Sequence, residues 1–255
     1  MALFTDGPPA SVEDLSAQDS QLLSVAATEG IDVTQKLALA HEELGLEIYS
    51  LLARMRNIDP LLWTAPKPTL DVVAITPPLK LWQAFRALEM VYADAFNNQL
   101  NDRYAGKRDQ YHERARWAYD KLVQNGIGIV GLPVAKAKTP TVSLATGQIP
   151  DATYYVTMAW LNRSGEEGES APPAFANPAS STLLVQPNGC VPENAVGWNI
   201  YLGSAPDSMV QQNAAAIGVG ETWLQPNRVQ TTGRNPGSGQ KPSYIQPVPR
   251  LIGRG

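Results

Sequence analysis

Few groupings of side chains in this sequence have the spacing that nucleophilic, dinucleotide or metal chemistry needs. There are two imidazoles, His41 and His112, and one thiol, Cys190. His41-Glu42-Glu43 lacks the second histidine, four residues on, that would put two rings on one helix face around zinc, so both histidines are expected at the surface. No Gly-x-Ser-x-Gly elbow occurs, and Cys190 sits in the turn-like Pro-Asn-Gly-Cys-Val-Pro with no histidine near it in sequence. Gly126-x-Gly128-x-x-Gly131 spells a dinucleotide fingerprint, but it follows a helical pattern and leads into proline, so phosphate-cradling geometry is not expected. Glu166, Glu167 and Glu169 could be drawn around calcium, yet their spacing is not that of an oxygen-ligand loop, and an exposed acidic hairpin is the stronger reading. Trp160, Trp198 and Trp223 could form a sugar-binding platform. Each lies in a strand-like run where large aromatics fill cores, and packing is favoured. No catalytic, cofactor-binding or metal-binding residue is assigned, and a binding or structural role is expected rather than an enzyme.

Composition narrows the class. Of 255 residues, 44% are hydrophobic and 17% charged, with a net charge of −4, as in a folded globular chain of one or two domains. A lone cysteine excludes an internal disulfide framework. The start, MALFTDGPPA, is no secretory signal, and no run is long enough to span a bilayer. Acids outnumber Arg163 over 141–226, whereas from residue 227 onward Arg228, Arg234, Lys241, Arg250 and Arg254 meet no acid.

The first half reads as helical. Ser11 and Asp14 have capping-box spacing ahead of a helix over 12–28 that Gly30 can stop. Asp32 caps a longer helix in which Val33, Leu37, Ala40, Leu44, Ile48, Leu51 and Met55 form one apolar stripe. Prolines then interrupt residues 60–78, with room for one short strand at 70–75. Leu81 to Leu100 mark a third helix and Tyr111 to Val123 a fourth, ending at Asn125-Gly126; its mixed charges read as a solvated face. After Ile127 a Gly- and Pro-containing linker leads to a boundary near Lys138. Beyond it, residues 153–161, 181–186, 197–202, 216–219 and 222–224 alternate as strands, with a turn at 162–165.

GWNIYLGSAPDS, from Gly197, is similar to the Gly-Tyr-x-Val-Tyr-x-Gly strand of fibronectin type III and related immunoglobulin-like modules. TYYVTMAWLNRSGEEGESAPP, from Thr153, resembles a later strand of those modules. Here the two phrases come in reverse order, so the resemblance implies a permuted or shared sandwich. The helical half, with its proline-rich interruption, resembles the head-to-tail adaptor (connector) proteins of tailed bacteriophages. The resulting expectation is a multidomain α+β chain: a helical bundle over 1–138, an antiparallel β-sandwich over 139–226 and an extended basic C-terminal arm over 227–255.

The adaptor resemblance implies a structural protein of the virion neck, assembled in the host cytoplasm without cofactor or membrane. Its partners would be other copies in a ring, usually twelvefold, the portal protein, the next neck or tail-completion protein, and DNA in transit. The arm would reach the portal, with Tyr244, Ile245, Leu251 and Ile252 as apolar anchors, Arg250 and Arg254 as charges, and prolines favouring extended chain. The alternative is a tail-fibre or carbohydrate-binding component acting through the sandwich and its tryptophans. An enzyme assembled from scattered carboxylates has no sequence feature in its favour.

Overall fold

The computed structural model describes residues 2–56, 69–99, 102–237 and 239–246. The chain is mixed α+β with antiparallel sheets. It forms two compact units: Gly7–Ile129 with Pro242–Gly255, and Met1–Asp6 with Val130–Lys241. No helix among the described residues is long and apolar enough to cross a membrane.

The helical unit opens with α1 (Val12–Gln18). Ser11 and Asp14 close the expected capping box, the hydroxyl accepting from Asp14 N at 3.2 Å and the carboxylate from Ser11 N at 2.9 Å. The single helix expected over 12–28 is instead two, because Asp19 is extended and the chain resumes as α2 (Leu22–Glu29). The Asp19 carboxylate accepts from Gln21 N at 3.0 Å, a local bond that competes with helix continuation. Gly30, in the left-handed region at φ 68, ends α2.

Asp32 caps α3 (Val33–Arg56) by accepting from Thr34 N and Gln35 N. Leu37, Ala40, Leu44, Ile48 and Leu51 are buried along one side of it. Leu70–Val72 is a 3-10 turn, the amides of Val72 and Val73 being spent on carbonyls three residues back, and of the strand expected at 70–75 there forms only an antiparallel bridge of Val73 to Ile129, with Ala74 N donating to the Gly128 carbonyl at 2.9 Å. α4 (Pro77–Gln99) is the centre of the unit and packs against both α3 and α5 (Ala105–Asn125). Its prolines stand in the first turn, where a missing N–H costs nothing. Buried Gln83 accepts from Ala10 N at 2.8 Å and donates to the Leu37 carbonyl at 3.2 Å.

The strands in chain order are β1 (Ile127–Ile129), β2 (Thr141–Ala145), β3 (Tyr154–Leu161), β4 (Ala174–Ala176), β5 (Thr182–Gln186), β6 (Gly197–Gly203), β7 (Val210–Gln211), β8 (Ile217–Gly218), β9 (Trp223–Leu224) and β10 (Ser243–Ile245). One antiparallel sheet has the order β4-β3-β6-β7, with β8 also on β6, and another the order β2-β5-β9. Alternate residues of β3 and β6 (Val156, Met158, Trp160; Trp198, Ile200, Leu202) meet Leu183 and Val185 of β5 in one core.

Val134 and Ala137 belong to that core, and the Gln240 side chain pairs with both backbone groups of Val134. The β unit therefore takes in residues on both sides of the limits drawn at 138 and 226 on composition. β1 and β10 form a separate two-stranded ladder in the helical unit, Ile127 opposite Ile245 and Ile129 opposite Ser243.

Candidate functional site

Of the residues expected to form a partner-binding arm, Tyr244 and Ile245 lie in β10, while Arg250, Leu251, Ile252 and Arg254 lie outside the described residues. The segment does not leave as a free arm at residue 227. Val229 packs on the β core, Gln230 N donates to Gln212, and Arg234 reaches a buried carboxylate. Backbone pairing then holds 243–245 on β1.

Two of the three glycines of the apparent dinucleotide fingerprint, Gly126 and Gly128, serve this pairing. A Cβ on Gly126, at φ +94, would meet the Ile245 carbonyl oxygen at 3.0 Å; one on Gly128 would meet Thr76 Cγ2 at 2.9 Å and Pro242 Cβ at 3.1 Å. Gln246 Nε2 donates to the Gln124 carbonyl at 3.0 Å. Tyr244 is exposed and borders a pocket of about 420 Å³ with Thr76, Pro77, Pro78 and Asn125.

The acidic hairpin is not simply exposed. Glu167 is fully buried, and its Oε1 accepts from Asn199 Nδ2 at 2.6 Å, the Tyr201 hydroxyl and the Arg234 guanidinium. Three donors, one of them charged, offset the cost of burying the carboxylate. Burial first, then the bond to Glu167, pushes the Tyr201 phenol up. Glu169 pairs with Lys136 at 2.6 Å, and Glu166 accepts from Asn162 at 3.0 Å. The three carboxylates thus serve separate protein partners, and no group of three or more His, Cys, Asp or Glu is placed to hold a metal among the described residues. Trp160 and Trp198 face each other across β3 and β6 in the core, and Trp223 is half-buried against it. The thiol of Cys190 is exposed.

In the helical unit a second buried carboxylate organises three helices. Asp19 Oδ2 accepts from Tyr92 at 2.8 Å, Tyr111 at 2.9 Å and Lys107 at 2.9 Å. Burial alone would raise this carboxyl; the bonds from Lys107, Gln21 N and the two phenols outweigh it and hold the pKa at about 2. Burial, followed by the bond to Asp19, raises both phenols. The Lys107 ammonium lies 5.8 and 5.7 Å from their ring centres. Asp19, Tyr92 and Tyr111 are buried, and the Asp19 carboxylate is occupied by partners from within the fold.

The open surfaces lie elsewhere. Leu39, Leu46 and Tyr49 are 40%, 71% and 59% exposed on the side of α3 opposite its core stripe, and Trp117 of α5 is 51% exposed. Between α3, α4 and α5 runs a groove of about 360 Å³ with an apolar floor of Leu44, Trp82 and Ala115. Arg86 pairs there with Glu43 and Glu89, both at 2.7 Å, and exposed His112 meets Glu89 at 2.9 Å. Glu47 stands on the α3 wall, Arg116 on the α5 wall, and Trp82 touches Tyr119 edge-on at one end. His41 is half-buried, not at the surface as expected. The outer residues of α3 escaped the sequence reading, although Leu39 and Leu46 lie one heptad apart, outside the apolar stripe assigned to the core. No protein-family model matches this chain, and no curated protein matches it.

Proposed function

We propose that this chain is a structural protein of the neck of a tailed bacteriophage, a ring-forming adaptor that joins the portal of the filled head to the next neck or tail-completion protein. The observation that carries the reading is the outer stripe of α3, which adds a second apolar side to a helix already buried on the first. Exposed apolar surface of this kind marks a place for another chain.

The cover we assign is α5 of a second copy. Glu42 and Glu43 flank Leu39, Leu46 and Tyr49, so two such stripes face to face would oppose like charges; Trp117 has Arg114 and Lys121 one turn to either side. Contact between unlike surfaces repeats head to tail and closes into a ring when the rotation allows. The β unit is read as a fibronectin- or immunoglobulin-like sandwich of permuted order. This rests on the two resembling phrases, β3 and β6, being paired neighbours in one sheet that shares its core with β5. The residues after β10, including Arg250, Leu251, Ile252 and Arg254, then reach the portal.

Light scattering of the purified protein, alone and mixed with portal rings from the same source, tests this. A ring-sized complex on mixing is expected, and a chain lacking residues 247–255 should bind the portal at least tenfold more weakly. A full-length protein that ignores the portal overturns the reading. The deletion must begin at residue 247, because removing Pro242–Gly255 also removes β10.

A further inference from the structure

We propose that the β unit binds an acidic sugar, a pyranose bearing one carboxylate, in a pocket beside Arg228. The site lies within this unit alone and does not depend on the neck reading.

The pocket, about 450 Å³, lies where β6 ends and has the size usual for a small-ligand site. Its floor comes from the core, since Tyr154 and Leu202 line it and both are buried. Its walls are polar, and their backbones are held in place. On one side the chain turns directly after β6. A Cβ on Gly203 would meet the Ser208 carbonyl oxygen at 2.7 Å, and Ser208 Oγ accepts from Ala205 N at 3.0 Å and donates to the Ala205 carbonyl at 3.1 Å. The turn that carries Ser204 is thus closed on itself. On the other side Gln225 Nε2 donates to the Arg228 carbonyl at 3.1 Å, Val229 packs on the β core, and the Gln212 side chain pairs with both backbone groups of Gln230, at 2.9 and 3.0 Å. The Tyr154 hydroxyl donates to the Pro150 carbonyl at 2.9 Å and closes a third side.

The groups on these fixed walls are uncommitted. Arg228 makes no ion pair among the described residues. It is also the one charged side chain among the described residues that line the pocket. Asp151, next to Pro150, accepts instead from Ser180 N at 3.1 Å, and Asp207 is not part of the lining.

One guanidinium with no acid beside it selects an anion of single charge. A carboxylate matches it, being planar and able to accept two parallel N–H bonds, whereas a phosphate monoester brings nearly two charges to one. The Ser204 hydroxyl and the Asn227 amide both donate and accept, as the hydroxyls of a sugar ring require. The apolar C–H face of the ring then rests on Tyr154 and Leu202. Trp160 and Trp198 take no part, because both are packed in the core.

Calorimetric titration of the full-length protein with glucuronate, glucose and glucose-6-phosphate tests the site. Glucuronate should bind at least tenfold more tightly than either of the others. Arg228→Gln should abolish that preference, and Arg228→Lys, which keeps the charge and loses the planar fork, should retain only part of it. Arg163→Gln, at an exposed arginine of the same unit that does not line the pocket, should leave it intact. Arg228 is exposed, so its variants should keep the near-UV circular dichroism of the parent. No binding of glucuronate, equal binding of glucose, tighter binding of the phosphate, or a preference that survives Arg228→Gln overturns the proposal. The titration is made without portal rings, so it and the neck reading can fail separately.

Discussion

Asp19 shows how one side chain redirects its neighbourhood. Its carboxyl is held at about 2 in the folded chain, below the ordinary value near 3.8, so its contribution is complete above about pH 4 and is lost as pH falls toward 2. The difference corresponds to about 2 kcal/mol. Asp19→Asn should lower the stability of the helical unit by about 2–3 kcal/mol at pH 7 and flatten its acid denaturation between pH 4 and 2, both measurable by urea unfolding. A mutant with the same acid profile as the parent would remove Asp19 from this role. The Ser11 capping box was legible because donor and acceptor are three residues apart. The break at Asp19 was not, since the hydroxyls that draw it inward belong to Tyr92 and Tyr111, 73 and 92 residues away. Glu167 misled in the same way: three glutamates in a Gly-flanked hairpin look solvated until Tyr201 and Arg234 are brought over one of them.

Among the elements, length alone does not decide which strands the sequence shows. β3, β5 and β6 display their alternation and even two-residue β8 and β9 were expected, whereas β2, as long as β5, escaped the reading, and β4, β7 and β10, with three residues or fewer, exist through their partners. The letters Gly126, Gly128 and Gly131 were visible, but the use of the first two was not, because β10 pairs with β1 from the far end of the chain. Gly128→Val should loosen that ladder, cost about 1–3 kcal/mol and expose the segment after Lys241 to protease. Gly131→Ala, which meets nothing within 4 Å, should leave the melting temperature unchanged. Equal behaviour of the two variants would show that the close approach at Gly128 carries no weight. In the β unit, Trp198→Ala removes a fully buried ring whose Nε1 donates to the Gly218 carbonyl at 3.0 Å. Its expected cost is about 3–5 kcal/mol, seen as loss of near-UV circular dichroism.

At the scale of the whole molecule, the proposed ring rests on the outer face of α3. Leu46→Glu should change folding stability by less than about 0.5 kcal/mol, since Leu46 is largely exposed. It should nevertheless reduce self-association by at least tenfold in light scattering with portal rings present. Unchanged assembly would move the subunit contact away from α3. The mixed helical and β character was readable from periodicity alone. The limits of the units were not, because a boundary placed on composition cannot show that Gln240 returns to Val134 or that β10 returns to β1.

That return also fixes an order of events during synthesis. Gln124 and Gln246, which meet beside the β1–β10 ladder, are 122 residues apart. At ordinary elongation rates the ribosome needs roughly 6–24 s to make that interval. The helices emerge early and Val73 can bridge Ile129 of β1 at once, yet the pairing of β1 with β10 waits while the β unit is produced. The helical unit is completed only after the β unit has been made, so a stalled or clipped nascent chain would display the edge of β1 that β10 otherwise pairs.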